Sequence, residues 1–496
     1  MSISFDAIPD DIIEGGIYTE VRSTGPKGGA QHRALVVVPK LASGTLSTSA
    51  PQRVFSPGDA YRLCGKNSIG AAMIRAFMAA APNVELYAIG FVPAAGVAAN
   101  CSLTATADAA TSGGGTIALY IGGVRVPVVV EAGLEGDGVE AAIVAAINLA
   151  AIDNPRLLVT AEVVQTGEPA VKSVKVTSKD TCALANSIDL RLNYYASDSR
   201  AAPKNVVVTI APAGMATGAG VADADTIIAA IAGIPFDTIV WPDDAEAALK
   251  AWSDELDSRF GPQVQHDGHL FAAVEGDVAA ATTAAAGLNG KHLTLIGSGD
   301  SPTMPCVWAA TLAAVDAAEP DPARPRRTLP LPGVLAPPTI WDNADRRSAL
   351  WGGISTWTVD AGGRVLVDRL ITTYRKNADG IPDSSYREVT TLRTITSLRR
   401  RWNTRIQGRF PRHKLADDGV DYPPGQDVVQ PKTIRAESIA LHREWEQDGL
   451  VQNPKAFAEN LIVERNLQDR NRLDVRMRVT IVGKFLTLAT LLEFEH

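Results

Sequence analysis

The chain has 496 residues, of which 46% are hydrophobic and 21% charged, and a net charge of −8. This is the composition of a soluble globular protein long enough for about three domains. The negative balance is the wrong sign for a nucleic-acid binder, which carries a basic field. The four cysteines, Cys64, Cys101, Cys182 and Cys306, lie far apart with no CxxC pair, so no metal knuckle or disulfide framework is indicated. They are read as small buried apolar residues in a reducing compartment.

Residues 1–25 read as an arm. Ile3, Phe5 and Ile8 are apolar, but Pro9, Gly15, Gly16 and Gly25 interrupt any regular element, so such a segment must dock on something else. The first six residues lack a basic stretch followed by an apolar one, and no run of about 20 apolar residues occurs; neither a secretory signal nor a membrane span is predicted. Residues 26–96 open an α/β core: a short buried strand at 35–38, a helix at 68–81 with Ile69, Met73 and Phe77 on one face, and a strand at 84–89.

Between 97 and 212 the texture changes to an inserted, mostly-β domain. Strands are predicted near 103–106, 116–121, 124–130, 157–164, 171–177 and 206–210, with one helix at 139–151. Gly122-Gly123 is a strong hairpin signal. The core resumes over 213–472. Helices near 224–232, 245–260 and 278–288 each precede a short apolar strand, at 238–241, 269–274 and 292–296; this alternation predicts a largely parallel sheet covered by helices. A proline-rich crossing at 320–338 takes an extended path. A hairpin (355–359 and 365–374, joined through Gly362-Gly363) and two helices (385–410 and 432–448) follow. Residues 473–496 form a C-terminal strand arm. Val479 and Ile481 lie in an alternating stretch, and Leu486, Leu488, Leu492 and Phe494 share an apolar face; no sheet within the chain is evident for them to join.

No chemistry-bearing constellation emerges. Gly25-Pro26-Lys27-Gly28-Gly29 precedes a strand and lacks phosphate-loop spacing. Gly297-Ser298-Gly299 follows a strand but lacks the full nucleophile-elbow pattern and a paired histidine. His266-Asp267-Gly268-His269 offers two histidines without a nearby third ligand, and Asp417-Asp418-Gly419-Val420-Asp421 lacks calcium-loop spacing. No catalytic residue, metal or cofactor is assigned. The densest basic run, Arg399-Arg400-Arg401 with Arg405 and Arg409, is read as a salt-bridged face between subunits, because acidic segments elsewhere in the chain complement it.

Several stretches resemble the tail sheath proteins of Mu-like contractile phages and prophages. They are TLPLPGVLAPP (328–338), GISTWTVD (353–360), DRLITTY (368–374), FPRHKLADDG (410–419), PKTIRAE (431–437), LIVERN (461–466) and NRLDV (471–475). Upstream, SIDLRLNY (187–194), Gly261-Pro262 and Asp267-Gly268-His269 also fit, so the likeness covers nearly the whole chain. The resemblance implies a structural subunit that polymerises with itself as stacked rings around an inner tail tube. It further implies contraction that drives the tube through a target cell envelope. Implied partners are the tube, baseplate and tail terminator proteins, with no nucleic acid and no membrane insertion. The implied location is the virion tail or a tail-like particle, assembled in the bacterial host cytoplasm. Neighbours would be joined by the terminal arms, each completing a sheet in an adjacent core. The expected subunit contacts are then Ile3, Phe5, Ile8, Val479, Ile481, Leu486, Leu488, Leu492 and Phe494, with Arg399, Arg405 and Arg409 pairing better after contraction. Two readings from other classes stay open: an α/β hydrolase-like enzyme with a β insertion, and a soluble adhesion or binding module.

Overall fold

The computed structural model of the chain describes residues 32–166, 171–423 and 425–494. An apolar run without polar alternation suits a strand covered on both faces. β1 (Arg33–Pro39) is such a strand, fully buried from Ala34 to Val38. β2 (Gln52–Val54), α1 (Asp59–Cys64), α2 (Ile69–Ala80) and β3 (Glu85–Phe91) follow. Ser68 caps α2 by accepting a hydrogen bond from the Ala71 amide at 3.1 Å, and Ile69, Met73 and Phe77 form the buried face expected of it.

The chain then leaves the core for the inserted domain. This comprises β4 (Asn100–Ala107), β5 (Gly115–Ile121), β6 (Val124–Val130), α3 (Gly136–Asp153), β7 (Val159–Thr166), β8 (Val171–Ser178), β9 (Leu190–Leu192), α4 (Ala196–Ala201) and β10 (Val206–Ala216). Two antiparallel sheets result, ordered β10-β4-β8-β7 and β6-β5-β9. Gly122 (φ 54°) and Gly123 (φ 75°) make the left-handed two-residue turn between β5 and β6. The neck is held by polar contacts. Asn67 Nδ2 reaches the carbonyls of Ala151, Asn154 and Leu157 at 3.2, 2.9 and 2.9 Å, and Lys66 Nζ reaches that of Ile152 at 2.7 Å. Ala151, Ile152 and Asn154 end α3, where carbonyls lack partners within the helix, and Leu157 lies in the loop that follows. In the other direction, Asp180 accepts from the Ile69 amide at the start of α2, at 2.8 Å.

The core resumes with α5 (Ala224–Ala230), β11 (Thr238–Val240), α6 (Glu246–Phe260), β12 (Leu270–Glu275), α7 (Val278–Ala284), β13 (Leu293–Gly299), α8 (Pro305–Ala318), α9 (Asn343–Trp351), β14 (Ile354–Val359) and β15 (Val365–Arg369). One eight-stranded sheet forms in the order β15-β14-β13-β12-β11-β1-β3-β2. Its neighbours are parallel from β14 to β3, and only the end strands β15 and β2 run antiparallel. The expected α/β core with a β insertion is therefore present. The proline-rich crossing does more than span a distance: residues 328–331 lie along β15, with the Thr328 amide donating to Val367 O (2.7 Å) and the Leu331 amide to Val365 O (2.9 Å).

Several predicted ends move: α10 starts at Val389 and not 385, β10 runs to Ala216 and not 210, and two further ends stop short for a visible reason. α7 stops at Ala284, short of 288, where Arg375 Nη2 reaches the carbonyls of Ala285 and Leu288, both at 2.9 Å. β15 stops at Arg369, short of 374, because the chain turns beneath the sheet and the Thr373 amide bonds to Leu293 O at 2.8 Å.

A C-terminal region of α10 (Val389–Arg409), β16 (Lys414–Leu415), β17 (Val428–Val429), α11 (Pro431–Gln447), β18 (Val451–Gln452), α12 (Pro454–Asn460), β19 (Ile462–Arg465), β20 (Leu473–Arg476) and β21 (Thr480–Ile481) completes the described chain. On α11, Ile434, Ser438, Leu441 and Trp445 are buried, as their spacing predicts. One apolar core runs through the main sheet and the insertion, while Leu398, Leu441, Trp445, Leu450 and Val451 form a second, smaller one. All four cysteines are free and buried, and burial pushes the Cys64 and Cys182 thiols up to about 12. Among the described residues no helix is long and apolar enough to cross a membrane.

Candidate functional site: charged seams and terminal strands

The basic run on α10 is a ladder that faces two ways. On the core side, Arg393 donates to Asp316 Oδ2 through Nε (3.0 Å) and Nη2 (2.7 Å), to Asp237 O (2.7 Å) and to Thr238 Oγ1 (2.8 Å). Asp316 also accepts from Arg326 Nε at 2.9 Å, and both of these side chains are buried. Burial alone would raise the Asp316 carboxyl; the Arg393 and Arg326 guanidiniums outweigh it and hold the group well below the usual carboxylate range. Arg400 pairs with Asp237, and Arg399 with Asp267. Arg399 also donates to Phe260 O (2.8 Å) and lies 4.2 Å from the Phe260 ring centroid.

On the opposite side, Arg401 bonds to Asp448 (2.7 Å), Arg405 to Glu437 (2.9 Å) and Glu444 (2.8 Å), and Arg409 to Glu437. Arg399, Arg405 and Arg409, expected to face other subunits, thus each have an acidic partner within the chain. Nothing in the sequence pairs Asp267, which precedes β12, or Glu437 and Glu444, both on α11, with these arginines. A cavity of about 510 Å³ between core and ladder is lined by His32, Asp237, Asp316, Arg326, Arg393 and Arg400. Asp237 and Asp316 are bonded there to arginines, and His32 Nε2 lies 2.9 Å from Thr238 Oγ1.

The other motifs resolve into structure. Ser298 is buried and its hydroxyl donates to Val274 O at 3.1 Å, so it is no exposed nucleophile. A Cβ on Gly297 would lie 2.1 Å from the Trp341 ring, which accounts for the glycine beside it. His269 is buried against Thr294 Oγ1 at 2.8 Å, and Asp267 belongs to the ladder. In the acidic loop, Asp417 pairs with Arg465 (2.9 Å) and Asp421 with Lys432 (3.2 Å). Among the described residues no group of three histidine, cysteine or acidic side chains is placed to hold a metal ion.

The terminal strands need a correction. They were expected to lack a sheet within their own chain, yet β20 pairs antiparallel with β19, and β21 with β18. Their short partners, Val451–Gln452 and Ile462–Arg465, carry no strand signal in the sequence, since two to four residues show no periodicity. Val479 packs on the small C-terminal core, and Ile481 pairs with Val451. The chain stays attached to the core a little further, with Lys484 Nζ donating to Thr391 Oγ1 (2.6 Å) and Arg327 Nη1 to Leu486 O (2.9 Å). Beyond that point Leu488, Leu491, Leu492 and Phe494 are 73%, 83%, 85% and 78% exposed, and residues 482–494 form no helix or strand. Ile3, Phe5 and Ile8 lie outside the described residues, as does Gly25-Pro26-Lys27-Gly28-Gly29.

Comparison with known proteins follows the same lines. Residues 217–373 match the family described as phage tail sheath protein central domain, and residues 382–494 the phage tail sheath C-terminal domain. The chain is 34% identical to the Mu-like prophage FluMu tail sheath protein of Haemophilus influenzae, over the whole of both chains. Among solved structures it is similar to a sheath tail protein of Desulfitobacterium hafniense (15% identity, 94% of this chain and 100% of that one, TM-score 0.47). It is also similar to one of Listeria innocua (13% identity, 92% and 93%, TM-score 0.48).

Proposed function

The chain belongs to the Mu-like contractile phage tail sheath protein family, and on that premise we propose that it polymerises as a helical tube around an inner tail tube and contracts to drive that tube through a target envelope. It is a structural protein and not an enzyme. The observation that carries polymerisation is the run of exposed apolar side chains at Leu488, Leu491, Leu492 and Phe494, past the last strand paired within the chain. Laid against the sheet of a second copy, such a segment gains backbone hydrogen bonds and removes its side chains from water. A head-to-tail contact of this kind that does not close propagates a filament.

The β19–β20 pair is the proposed receiving site: of the three two-stranded sheets among the described residues it has the longest strands, four residues each, and no third strand joins it. Leu486, Leu488, Leu492 and Phe494, with Ile3, Phe5 and Ile8 from the opposite end, are the proposed arm contacts; Val479 and Ile481 support the base of the arm. Residues 1–25 and 473–496 serve as arms, 97–212 as the insertion, and 26–96 with 213–472 as the core. Contraction is a rigid-body change between two packings, in which Arg399, Arg405 and Arg409 re-pair across the subunit boundary. The inner tube, baseplate and tail terminator proteins are the other partners, and assembly takes place in the host cytoplasm before the virion tail or tail-like particle is released.

Negative-stain microscopy of the purified protein tests the reading. Long hollow tubes are expected from the full chain, and folded monomers from variants lacking residues 1–20 or 488–496. A full chain that stays monomeric at high concentration, or tubes that survive either truncation, would overturn it.

A further inference from the structure

The charged cavity of about 510 Å³ lies where the described chain begins. β1 starts at the amino edge of the main sheet. Asp237 accepts the Arg33 amide on Oδ2 at 2.8 Å and donates its own amide to Arg33 O at 2.8 Å, and Ala34 stands in register with Thr238. His32, one residue earlier, lines the cavity and shares Thr238 Oγ1 with Arg393, at 2.9 and 2.8 Å. The chain therefore comes to β1 from the cavity side. The stretch that precedes it is Lys27-Gly28-Gly29-Ala30-Gln31, which lies outside the described residues.

One face of α10 lines the cavity. Arg393, Thr396, Ser397, Arg400, Thr404 and Arg405 all border it, at the spacing of a single helical face. From Arg393 to Arg405 this face is about 18 Å long at 1.5 Å per residue. An extended chain covers that distance in about five residues, the separation of Lys27 from His32. The lining suits a backbone. Thr394 Oγ1 bonds back to Thr390 O at 2.7 Å, but the hydroxyls of Thr396, Ser397 and Thr404 have no partner among the described residues. Each can give and accept a hydrogen bond, and a peptide segment brings groups of both kinds. Gly28, Gly29 and Ala30 add no side chain larger than a methyl group, so such a segment fits beside long arginines. At the far end Glu444 and Asp448 also line the cavity, 2.8 Å from Arg405 and 2.7 Å from Arg401. A lysine arriving there meets two carboxylates.

We propose that residues 27–31 of the same chain lie along α10 in this cavity, with Lys27 at Glu444 and Asp448, and that the arginine ladder is a clasp that sets where the N-terminal arm leaves the subunit. This rests on the reading of residues 1–25 as an arm, but its geometry needs no second copy. The test treats the unaltered full chain with a zero-length carbodiimide, which joins a lysine amine to a carboxylate it touches. Peptide mapping is expected to find Lys27 joined to Glu444 or Asp448, and its absence from both overturns the proposal. Co-expressed K27R and E444Q/D448N copies can form that link only between chains. A link in this mixture would put the segment in a neighbour's cavity and overturn the assignment to the same chain. Amide exchange gives a second reading without substitution or reagent. The amides of residues 28–31 should exchange on the order of tenfold more slowly than in an unfolded peptide for each net hydrogen bond; exchange at the unfolded rate overturns the clasp. A chain that gives the link and the protection but forms no tubes would sink polymerisation and leave this inference standing.

Discussion

Arg393 and Asp316 meet across 77 residues of sequence, with Nη2 2.7 Å from Oδ2, and together they fasten α10 to α8. Asp316 is enclosed and serves Arg326 as well. Replacing it with alanine leaves two guanidiniums without their counter-charge, a change that costs about 3–5 kcal/mol for a buried pair. Chemical unfolding of Asp316→Ala should show that loss. The exposed pair Glu246–Lys250, 2.5 Å apart, is the control, and Lys250→Ala should leave the midpoint nearly unchanged.

Buried histidines make stability depend on pH. Burial, aided by Arg393, lowers His32 to about 4; burial and Lys291 lower His292 to about 3; burial, then Arg393, lowers His269 well below its usual value. In the unfolded chain these groups take up protons near pH 6.5. Between about 6.5 and 4 the unfolded state binds more of these protons, so each histidine lowers stability as pH falls through that window. Asp180 acts oppositely, because burial raises its carboxyl to about 7 and the folded chain holds that proton where the unfolded chain does not. Thermal midpoints from pH 7 to 4 should fall less steeply for His269→Gln than for the native chain, and more steeply for Asp180→Asn. Parallel curves would contradict this.

The insertion is held by Asn67, whose carboxamide serves three carbonyls from a left-handed backbone at φ 64°. Asn67→Ala removes those bonds and places a residue with a Cβ and no local hydrogen bond in a conformation it disfavours. A loss of about 2–3 kcal/mol is expected from the unsatisfied carbonyls. Limited proteolysis should cut the variant between core and insertion faster than the native chain.

Gly297 sits under the Trp341 ring, with Trp357 Nε1 donating to its carbonyl at 2.8 Å. Gly297→Ala must push the indole away from the sheet, at about 1–3 kcal/mol for an overpacked core. Trp341 fluorescence and the unfolding midpoint should both shift, while Gly363→Ala, where a Cβ meets nothing within 4 Å, should lose only the left-handed backbone preference at φ 76°.

On the proposed reading of the ladder, Arg405→Glu disrupts the pairs to Glu437 and Glu444 in the extended tube and changes contraction without preventing assembly. Microscopy of tubes before and after a contraction trigger checks it. Complete loss of tubes would assign the arginine to the fold of the subunit alone.

The local elements were legible because burial imposes a period on sequence. The unbroken apolar run at 34–38, the i, i+4 face of α2, and the Gly-Gly turn between β5 and β6 each satisfy a constraint within a few residues. The α/β core, the β insertion and an apolar C-terminal segment follow from such patterns. The order of the sheet does not: β1 lies between β3 and β11, and Ala34 aligns with Thr238 across the whole insertion.

The charged seams were hidden for the same reason. Arg399, Arg405 and Arg409 are visible as a basic run, but an ion pair has no period, and their partners lie far off in sequence: Asp267 before β12, and Glu437 and Glu444 on α11. The sequence by itself determined the elements whose pattern is local, such as β1, α2 and the β5–β6 hairpin, and that an apolar stretch stands near the C-terminus. Tertiary structure alone decided that the arginines are paired within the chain and that β20 and β21 find partners before the exposed run begins. Each of these is a long-range, directional contact, and a hydrogen bond depends on where two groups finally lie, whereas burial leaves its mark in the order of the residues themselves.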